Sequence, residues 1–310
     1  MSRIVAVTGA TGFIGGALLK ALLAQGWEVR ALTRGARTSA PAKNPRLHWV
    51  TGDLDDQDSL ERLVHDAHAV VHCAGAVRGI TQAQFDHVNE TGVRRIANAI
   101  LAQAHPPRLV ALSSLAARKP SLSPYAASKR KGEKVLLELG DKVDWLAFRP
   151  PAVYGPGDRE LLPLFQWMAR GLAILPGPGE ARFSLIYVDD LVQAILQGLE
   201  IAPGHSGIYE LDDGRSGGYS WDDVVAIFSR LRGKRVVKCA IPAWLLRGLG
   251  EANLLMARMG GYAPMLTPGK VRELRYLDWV CHHTGSWRDI SGWSPQVSLP
   301  EGLKNTLHSL

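Results

Sequence analysis

A glycine-rich segment near the N-terminus constrains the fold more than any other feature of the 310-residue sequence. It comprises Thr8, Gly9, Ala10, Thr11, Gly12, Phe13, Ile14 and Gly15, between a β-branched run and apolar residues at helical spacing. Gly9 would permit a tight turn, Gly12 a close approach of the backbone to a pyrophosphate, and Gly15 close packing of the helix on the strand. The helix N-terminus would offer free N–H groups to the phosphates. The segment therefore predicts a dinucleotide-binding turn, and a purely structural turn is the alternative.

Short apolar segments alternate with helical patterns through the first half of the sequence. Strands are predicted at residues 4–7, 29–32, 48–50, 69–72, 109–112 and 145–148. Helices are predicted between them, including one at residues 83–103 and one at residues 125–139. Because strands that are apolar along their whole length fit a sheet covered on both faces, the alternation predicts an α/β fold with a Rossmann-type, doubly wound parallel sheet.

The second half of the sequence differs in composition from the first. Glycine and proline cluster at residues 150–157 and 176–179, and five of the nine tryptophans follow residue 220. We predict a dinucleotide-binding domain at residues 1–155 and a smaller, mainly substrate-binding cap at residues 156–310. Leucine, methionine and tryptophan are frequent at residues 243–265, which favours packing within the cap or a dimer contact. The alternative is a lid of two short amphipathic helices that would cover an apolar substrate or contact a membrane surface.

Charge and composition exclude several classes of function. The formal net charge is +7, but the basic residues are mostly dispersed, and the densest group, at residues 129–134, fits a solvated helix face better than a nucleic-acid-binding surface. No run approaches the roughly 20 apolar residues of a membrane span, and the N-terminus lacks a signal peptide's apolar region. The three cysteines form no CxxC pair and His282-His283 has no partner cluster, so no metal site is predicted. We expect a cytoplasmic protein that binds a small molecule and no nucleic acid.

The end of the second predicted strand indicates which dinucleotide would bind. An acidic residue there would accept the adenosine ribose hydroxyls and select NAD, but the strand ends Thr33-Arg34. The planar guanidinium of Arg34 suits a 2′-phosphate, which favours NADP over NAD, whereas an ordinary surface arginine is the alternative. Asp53, after the third strand, either reaches the adenine or caps a helix.

A set of polar residues at the end of the fifth predicted strand indicates proton transfer. The strand ends in Ser113-Ser114, and Tyr125 and Lys129 follow at i and i+4 positions of a helix, on one face. A nearby ammonium would lower the pKa of the phenol, and the tyrosine could then exchange a proton with a carbonyl or alcohol oxygen while a nicotinamide moves hydride. Ser114 could hold the same oxygen as charge develops.

These segments together resemble those of extended short-chain dehydrogenases/reductases, the NAD(P)-dependent epimerase/dehydratase family. The likeness covers nearly the whole chain and includes TGxxGxxG at residues 8–15, GDL at 52–54, VHCAG at 71–75, VNETG at 88–92, RPPAVYGPG at 149–157, YVDDL at 187–191 and GWSP at 292–295. The resemblance implies that Ser114, Tyr125 and Lys129 are catalytic, that Asn89 supports them, and that Lys129 holds the nicotinamide ribose. It implies further cofactor contacts from Leu54, Ala74, Gly75, Ser113, Pro150 and Val153, and a return of residues 185–211 to the sheet.

The family resemblance leaves the reaction open between a dehydrogenase/reductase and an epimerase or dehydratase. The expected substrate carries a carbonyl or alcohol and is apolar or sugar-derived, and the expected assembly is a homodimer. The stretch between Ser114 and Tyr125 is shorter than in many nucleotide-sugar enzymes of the family, which disfavours the first alternative, a nucleotide-sugar epimerase with tightly held NAD. The second alternative is a non-catalytic NADPH-binding subunit or redox sensor.

Overall fold

The computed structural model describes residues 3–35, 44–282 and 286–308. Its strands are β1 (Ile4–Thr8), β2 (Glu28–Thr33), β3 (Leu47–Thr51), β4 (Ala69–His72), β5 (Arg108–Leu112), β6 (Trp145–Arg149), β7 (Ala152–Tyr154), β8 (Leu172–Leu175), β9 (Arg182–Phe183), β10 (Leu185–Tyr187), β11 (Gly207–Glu210), β12 (Tyr219–Ser220), β13 (Val237–Ala240) and β14 (Asp278–Trp279). Its α-helices are α1 (Phe13–Ala24), α2 (Gln57–Val64), α3 (Gln82–Asp86), α4 (Gly92–Leu101), α5 (Pro124–Leu137), α6 (Leu162–Arg170), α7 (Val188–Glu200), α8 (Trp221–Arg232), α9 (Ala243–Gly260), α10 (Pro268–Leu274), α11 (Trp287–Ser291) and α12 (Leu299–His308).

Seven parallel strands form the central sheet, in the order β11-β6-β5-β4-β1-β2-β3. The chain order reverses between β1 and β4, which leaves a crevice at the carboxyl edge where the loops after these strands diverge. The buried strands are apolar along their length because helices cover both faces of the sheet. The predicted Rossmann-type, doubly wound parallel sheet is confirmed.

Two apolar layers cover the faces of the sheet. One layer brings α1 and α7 together, and residues such as Leu18, Leu22 and Ile195 are fully buried there. The other layer contains α2, α4 and α5, with Leu60, Ile96 and Leu136 in its interior. Because α7 and β11 lie against these layers and the β6 edge, part of the second half of the chain packs as one body with the first.

The remainder of the second half forms small sheets and helices around a third apolar cluster, which includes Phe165, Met168 and Phe228. Strands β7 and β10 form one parallel pair, β8 and β13 another, and β9 lies between β12 and β14. The expectation of two short helices at residues 243–265 is wrong, because α9 is one continuous helix of 18 residues. Within the described ranges, no helix is both long and apolar enough to cross a membrane.

One predicted helix contains a local distortion. The predicted segment 83–103 consists of α3, a π-helical turn at His87–Thr91, and α4. Single π turns are often found at functional positions in helices, and this one carries Asn89.

Candidate active site

The glycine-rich turn after β1 is built so that only glycine fits at two positions. Gly9 has a φ of +70°, and a Cβ placed there would lie 2.6 Å from the amide nitrogen of Ala74. A Cβ on Gly15 would lie 2.1 Å from the carbonyl oxygen of Gly9, so α1 packs directly on the turn. The backbone of the turn therefore stays narrow and close to the edge of the sheet.

The N-terminus of α1 remains available to an anionic group. Gly12 is its N-cap residue, no side chain caps the helix, and the first turn contains no acidic residue. Thr11 and Gly12 are exposed, whereas Phe13 and Ile14 are half-buried beside them. The free N–H groups and the helix dipole suit a phosphate. The residues present therefore fit the pyrophosphate of a dinucleotide.

The residues expected at the adenosine end lie at the ends of neighbouring strands. Arg34 directly follows β2 and is exposed. The Asp53 carboxylate accepts hydrogen bonds from the amides of Asp55 and Asp56, at 2.8 and 3.1 Å, so it holds the turn that leads into α2. Asp56, and not Asp53, is the N-cap residue of α2. The leucine that follows Asp53, Leu54, packs against Gly92, where an added Cβ would lie 2.8 Å from Leu54 Cδ1.

Thr8 joins β1 to β4 and is fully buried. Its hydroxyl oxygen lies 2.9 Å from Nδ1 of His72 and accepts a hydrogen bond of 3.3 Å from the Ala74 amide. Burial, assisted by the charge of Lys129, lowers the pKa of His72 to about 3, so the imidazole is neutral. The Thr8 side chain therefore fixes the chain beside Ala74 and does not face an open cleft.

Ser114 and Tyr125 meet at the carboxyl end of β5. Ser114 caps the short 3₁₀ turn Leu115–Arg118, and Tyr125 lies in the first turn of α5, which Ser123 caps. Burial raises the pKa of the Tyr125 phenol, and a hydrogen bond with Ser114 opposes this only in part. The expectation that the neighbouring ammonium lowers this pKa is therefore wrong, because desolvation of the phenol dominates.

Lys129 lies one turn after Tyr125 on α5 and is buried. Its Nζ donates a hydrogen bond of 2.9 Å to the carbonyl oxygen of Leu112, the last residue of β5. Burial lowers the pKa of Lys129 to about 8, although Cys73 and Glu133 act against this shift. The ammonium is thus tied to the end of β5, beside Ser113 and Ser114.

Asn89 connects the π-helical turn to the loop after β4. Its Oδ1 accepts a hydrogen bond from the Ala76 amide, and its Nδ2 donates to the Ala76 carbonyl and to Ser128 Oγ, each at 2.9 Å. A Cβ on Gly75 would lie 3.0 Å from Lys129 Nζ and 3.2 Å from Asn89 Oδ1. Asn89, Gly75 and Lys129 therefore converge at the loop after β4.

Three further residues expected to contact a cofactor have defined positions. The Ser113 hydroxyl donates a hydrogen bond of 2.6 Å to Glu133, so it is occupied by the protein itself. Pro150 is buried, and its carbonyl accepts a hydrogen bond of 2.9 Å from Leu115. Val153 is half-buried in β7, at the carboxyl side of β6.

The profile of the NAD dependent epimerase/dehydratase family matches residues 5–211. The chain belongs to this family.

The relatives of this family member include reductases and epimerases. The chain is 34% identical to ceramide reductase of Caulobacter vibrioides, over 94% of this chain and 96% of that protein. It is 26% identical to 2-alkyl-3-oxoalkanoate reductase of Stenotrophomonas maltophilia, over 97% of both. UDP-glucuronic acid 4-epimerase from Bacillus cereus, solved with UDP-glucuronic acid and NAD, shares the fold with a TM-score of 0.72 at 19% identity, over 99% of this chain and 98% of that one.

Membership in the epimerase/dehydratase family defines the general chemistry. The protein is an NAD(P)-dependent enzyme of the oxidoreductase or epimerase/dehydratase type, which acts at a carbonyl or alcohol carbon by hydride transfer. The described residues contain no group of three or more side chains arranged to hold a metal ion, and His283 lies outside those residues.

A buried ion pair between α5 and the end of β6 was not predicted from the sequence. Glu133, which is 1% exposed, binds Arg149 through two hydrogen bonds of 2.7 Å and also accepts the Ser113 hydrogen bond. Arg149 ends β6, and Glu133 lies one turn after Lys129 on α5. That i+4 spacing is the sequence signal that could have placed Glu133 on the same face as the lysine.

Helix α10 also contacts the site, although it lies about 150 residues further along the chain. Arg272 donates a hydrogen bond of 2.7 Å to the carbonyl of Leu122, and Ser123 hydrogen-bonds to Glu273. A Cβ on Gly269 would lie 2.9 Å from Cβ of Ser123. Because Ser123 caps the helix that carries Tyr125, α10 supports the position of the phenol.

Proposed function

We propose that this protein is an NADP(H)-dependent reductase of a ketone on a long-chain, ceramide-type lipid. The observation that carries the proposal is the group formed by Ser114, a neutral Tyr125 and Lys129 at the end of β5. A protonated phenol is the form that donates a proton, as reduction of a ketone requires. The similarity over nearly the whole length to a ceramide reductase supports the lipid substrate.

In this proposal each residue of the site has one role. Bound NADPH would supply the hydride to the carbonyl carbon. The Tyr125 hydroxyl gives its proton to the carbonyl oxygen, which becomes the alcohol, and the Ser114 hydroxyl holds that oxygen as negative charge develops. Lys129 holds the nicotinamide ribose and stabilises the phenolate that remains, because an adjacent ammonium favours that form. Asn89 is a positioning residue, since its three hydrogen bonds fix Ala76 and Ser128.

The cofactor site in the proposal extends along the carboxyl edge of the sheet. The glycine-rich turn and residues Thr11–Gly15 would bind the pyrophosphate, and Ala74, Gly75, Pro150 and Val153 would line the nicotinamide end. Leu54 and Asp53 would lie beside the adenine, with the Asp53 carboxylate already holding its own turn. The part of residues 156–310 outside the central sheet would select the substrate.

Arg34 is proposed to bind the 2′-phosphate of NADP(H). Replacing Arg34 with alanine should weaken NADPH binding by about 10- to 100-fold, since charge-assisted hydrogen bonds contribute about 1.5–3 kcal/mol. NADH binding should change little, because that cofactor has no 2′-phosphate. Titration of nicotinamide fluorescence measures both affinities, and Arg62→Ala, at an exposed arginine on α2, is the matched control. Equal losses for the two cofactors would contradict the assignment.

The reaction itself is tested by NADPH oxidation in the presence of a ketone-bearing ceramide-type lipid. We expect turnover with this lipid, and product with a secondary alcohol in place of the ketone. Mass spectrometry of the purified protein should show no retained cofactor, because a reductase releases it in each cycle. Retained NAD together with interconversion of nucleotide sugars would instead identify an epimerase. NADPH binding without turnover of any ketone, and with one stoichiometric protein partner, would identify a non-catalytic subunit.

A further inference from the structure

Helix α9 exposes an unusually apolar surface. We define the outer face of α9 by eight residues: Trp244, Leu245, Gly248, Leu249, Ala252, Leu255, Met256 and Met259. All eight are exposed, and the largest exposed fractions are 83% for Met259 and 72% for Trp244. A contiguous exposed apolar face of this kind marks a surface that binds something.

The outer face is continuous and separate from the side of α9 that packs on the protein. At 100° per residue its eight members span an arc of about 140° that contains no charged residue. The buried residues Leu246, Gly250 and Ala257 lie on the other side of the helix, where a Cβ on Gly250 would lie 3.2 Å from Val271 of α10. Arg247, Glu251 and Arg258 lie along one border of the outer face and are exposed, so this border carries two basic residues and one acidic residue. The helix is thus anchored by one side and presents an apolar side to its surroundings, with a border that carries a net positive charge.

The charge around α9 is strongly positive. Residues 234–275 contain eight basic and two acidic residues, a net charge of +6, whereas the whole chain has a net charge of +7. Nearly all of the protein's excess charge therefore lies in the segment that contains the outer face. Two copies of this surface would repel each other, and an anionic surface would attract it.

We propose that the outer face of α9 docks on an anionic lipid bilayer. The apolar side chains would enter the boundary between headgroups and acyl chains, and the bordering arginines would contact the lipid phosphates. This docking goes beyond the proposed reaction and does not require it. It would place α10, and through Ser123 the start of α5, beside the lipid surface.

The experiment is flotation of the full-length protein with lipid vesicles. We expect it to float with phosphatidylcholine vesicles that contain about one-third phosphatidylglycerol, and much less with pure phosphatidylcholine or in about 0.5 M NaCl. The double variant Leu255→Asp/Met259→Asp should reduce the bound fraction by about tenfold or more, because two charges would enter the apolar boundary. Leu137→Asp, at an equally exposed leucine that ends α5, should leave flotation unchanged.

Two further measurements keep the result interpretable. NADPH binding by the double variant should equal that of the natural protein, which shows that the fold is intact. A concentration-dependent dimer that the double variant abolishes, without flotation of the natural protein, would assign the face to a second copy of the chain and overturn the proposal. Unchanged flotation of the double variant, with an altered KM for a water-soluble ketone, would identify the face as a lid over substrate and also overturn it. Failure of the ceramide-type lipid as substrate would contradict the proposed function but would not affect flotation.

Discussion

Replacing Tyr125 with phenylalanine should reduce kcat by about 10²- to 10⁴-fold and leave the affinity for NADPH nearly unchanged. The variant keeps the ring and its edge contact with Phe85, whose centroid lies 6.2 Å away, but it removes the hydroxyl that donates the proton. Because the loss is confined to proton transfer, kcat and kcat/KM should fall together. Stopped-flow measurement of NADPH oxidation and fluorescence titration of the cofactor provide the two quantities.

The matched control for Tyr125 is Tyr276→Phe. It removes a hydroxyl from a tyrosine whose ring is tilted against that of Trp279, at a centroid distance of 4.8 Å. This control should retain the turnover of the natural protein. Turnover by Tyr125→Phe equal to that of the control would refute the assignment of the proton donor. Ser114→Ala should also lose turnover, but by less than Tyr125→Phe, because the serine holds the oxygen and transfers no proton.

The six strands of the first half were predictable because their patterns are local, whereas their order in the sheet was not predicted. The buried strands are mostly apolar, and β4 agrees with its prediction at both ends. The spacing of the glycines between a strand and a helix also located the glycine-rich turn. The structure gives the reason for that spacing, since a Cβ would not fit at Gly9 or Gly15. The carboxyl ends of parallel strands lie at one edge of the sheet. The strand assignments alone therefore place Ser114 and the glycine-rich turn at the same edge.

The electrostatics of the site were not predictable from spacing. The i, i+4 positions of Tyr125 and Lys129 place them on one face of α5, but burial, which the spacing does not report, raises the pKa of the phenol. The same limit applies to α10, whose contacts with Leu122 and Ser123 join segments about 150 residues apart. The sequence indicated two short helices at residues 243–265, whereas α9 runs unbroken from Ala243 to Gly260, with Gly250 packed closely on Val271 of α10.

Replacing Glu133 with alanine should lower the free energy of unfolding by up to about 3–5 kcal/mol, because it leaves the largely buried Arg149 with only the longer contact of 3.5 Å to Glu210. The same change removes the acceptor of the Ser113 hydroxyl, next to Ser114. Chemical denaturation followed by tryptophan fluorescence measures the loss, with the midpoint expected to shift at an unchanged slope. Glu138→Ala, at the exposed end of α5, removes an ion pair with Arg94 that lies in solvent and should change stability little.

The reason for this difference is desolvation and not the number of charges. The Glu133 side chain is 1% exposed and Arg149 is 12% exposed, so removal of Glu133 leaves Arg149 away from water with Glu210 alone to compensate its charge, whereas Arg94 and Glu138 are both solvated. Replacing both partners, as Glu133→Leu with Arg149→Met, should therefore recover part of the stability lost in Glu133→Ala. Equal losses in Glu133→Ala and Glu138→Ala would show that burial does not govern this pair. If the double variant recovers stability but kcat stays low, the pair acts mainly by positioning the end of β5, where Ser114 and the carbonyl that binds Lys129 lie.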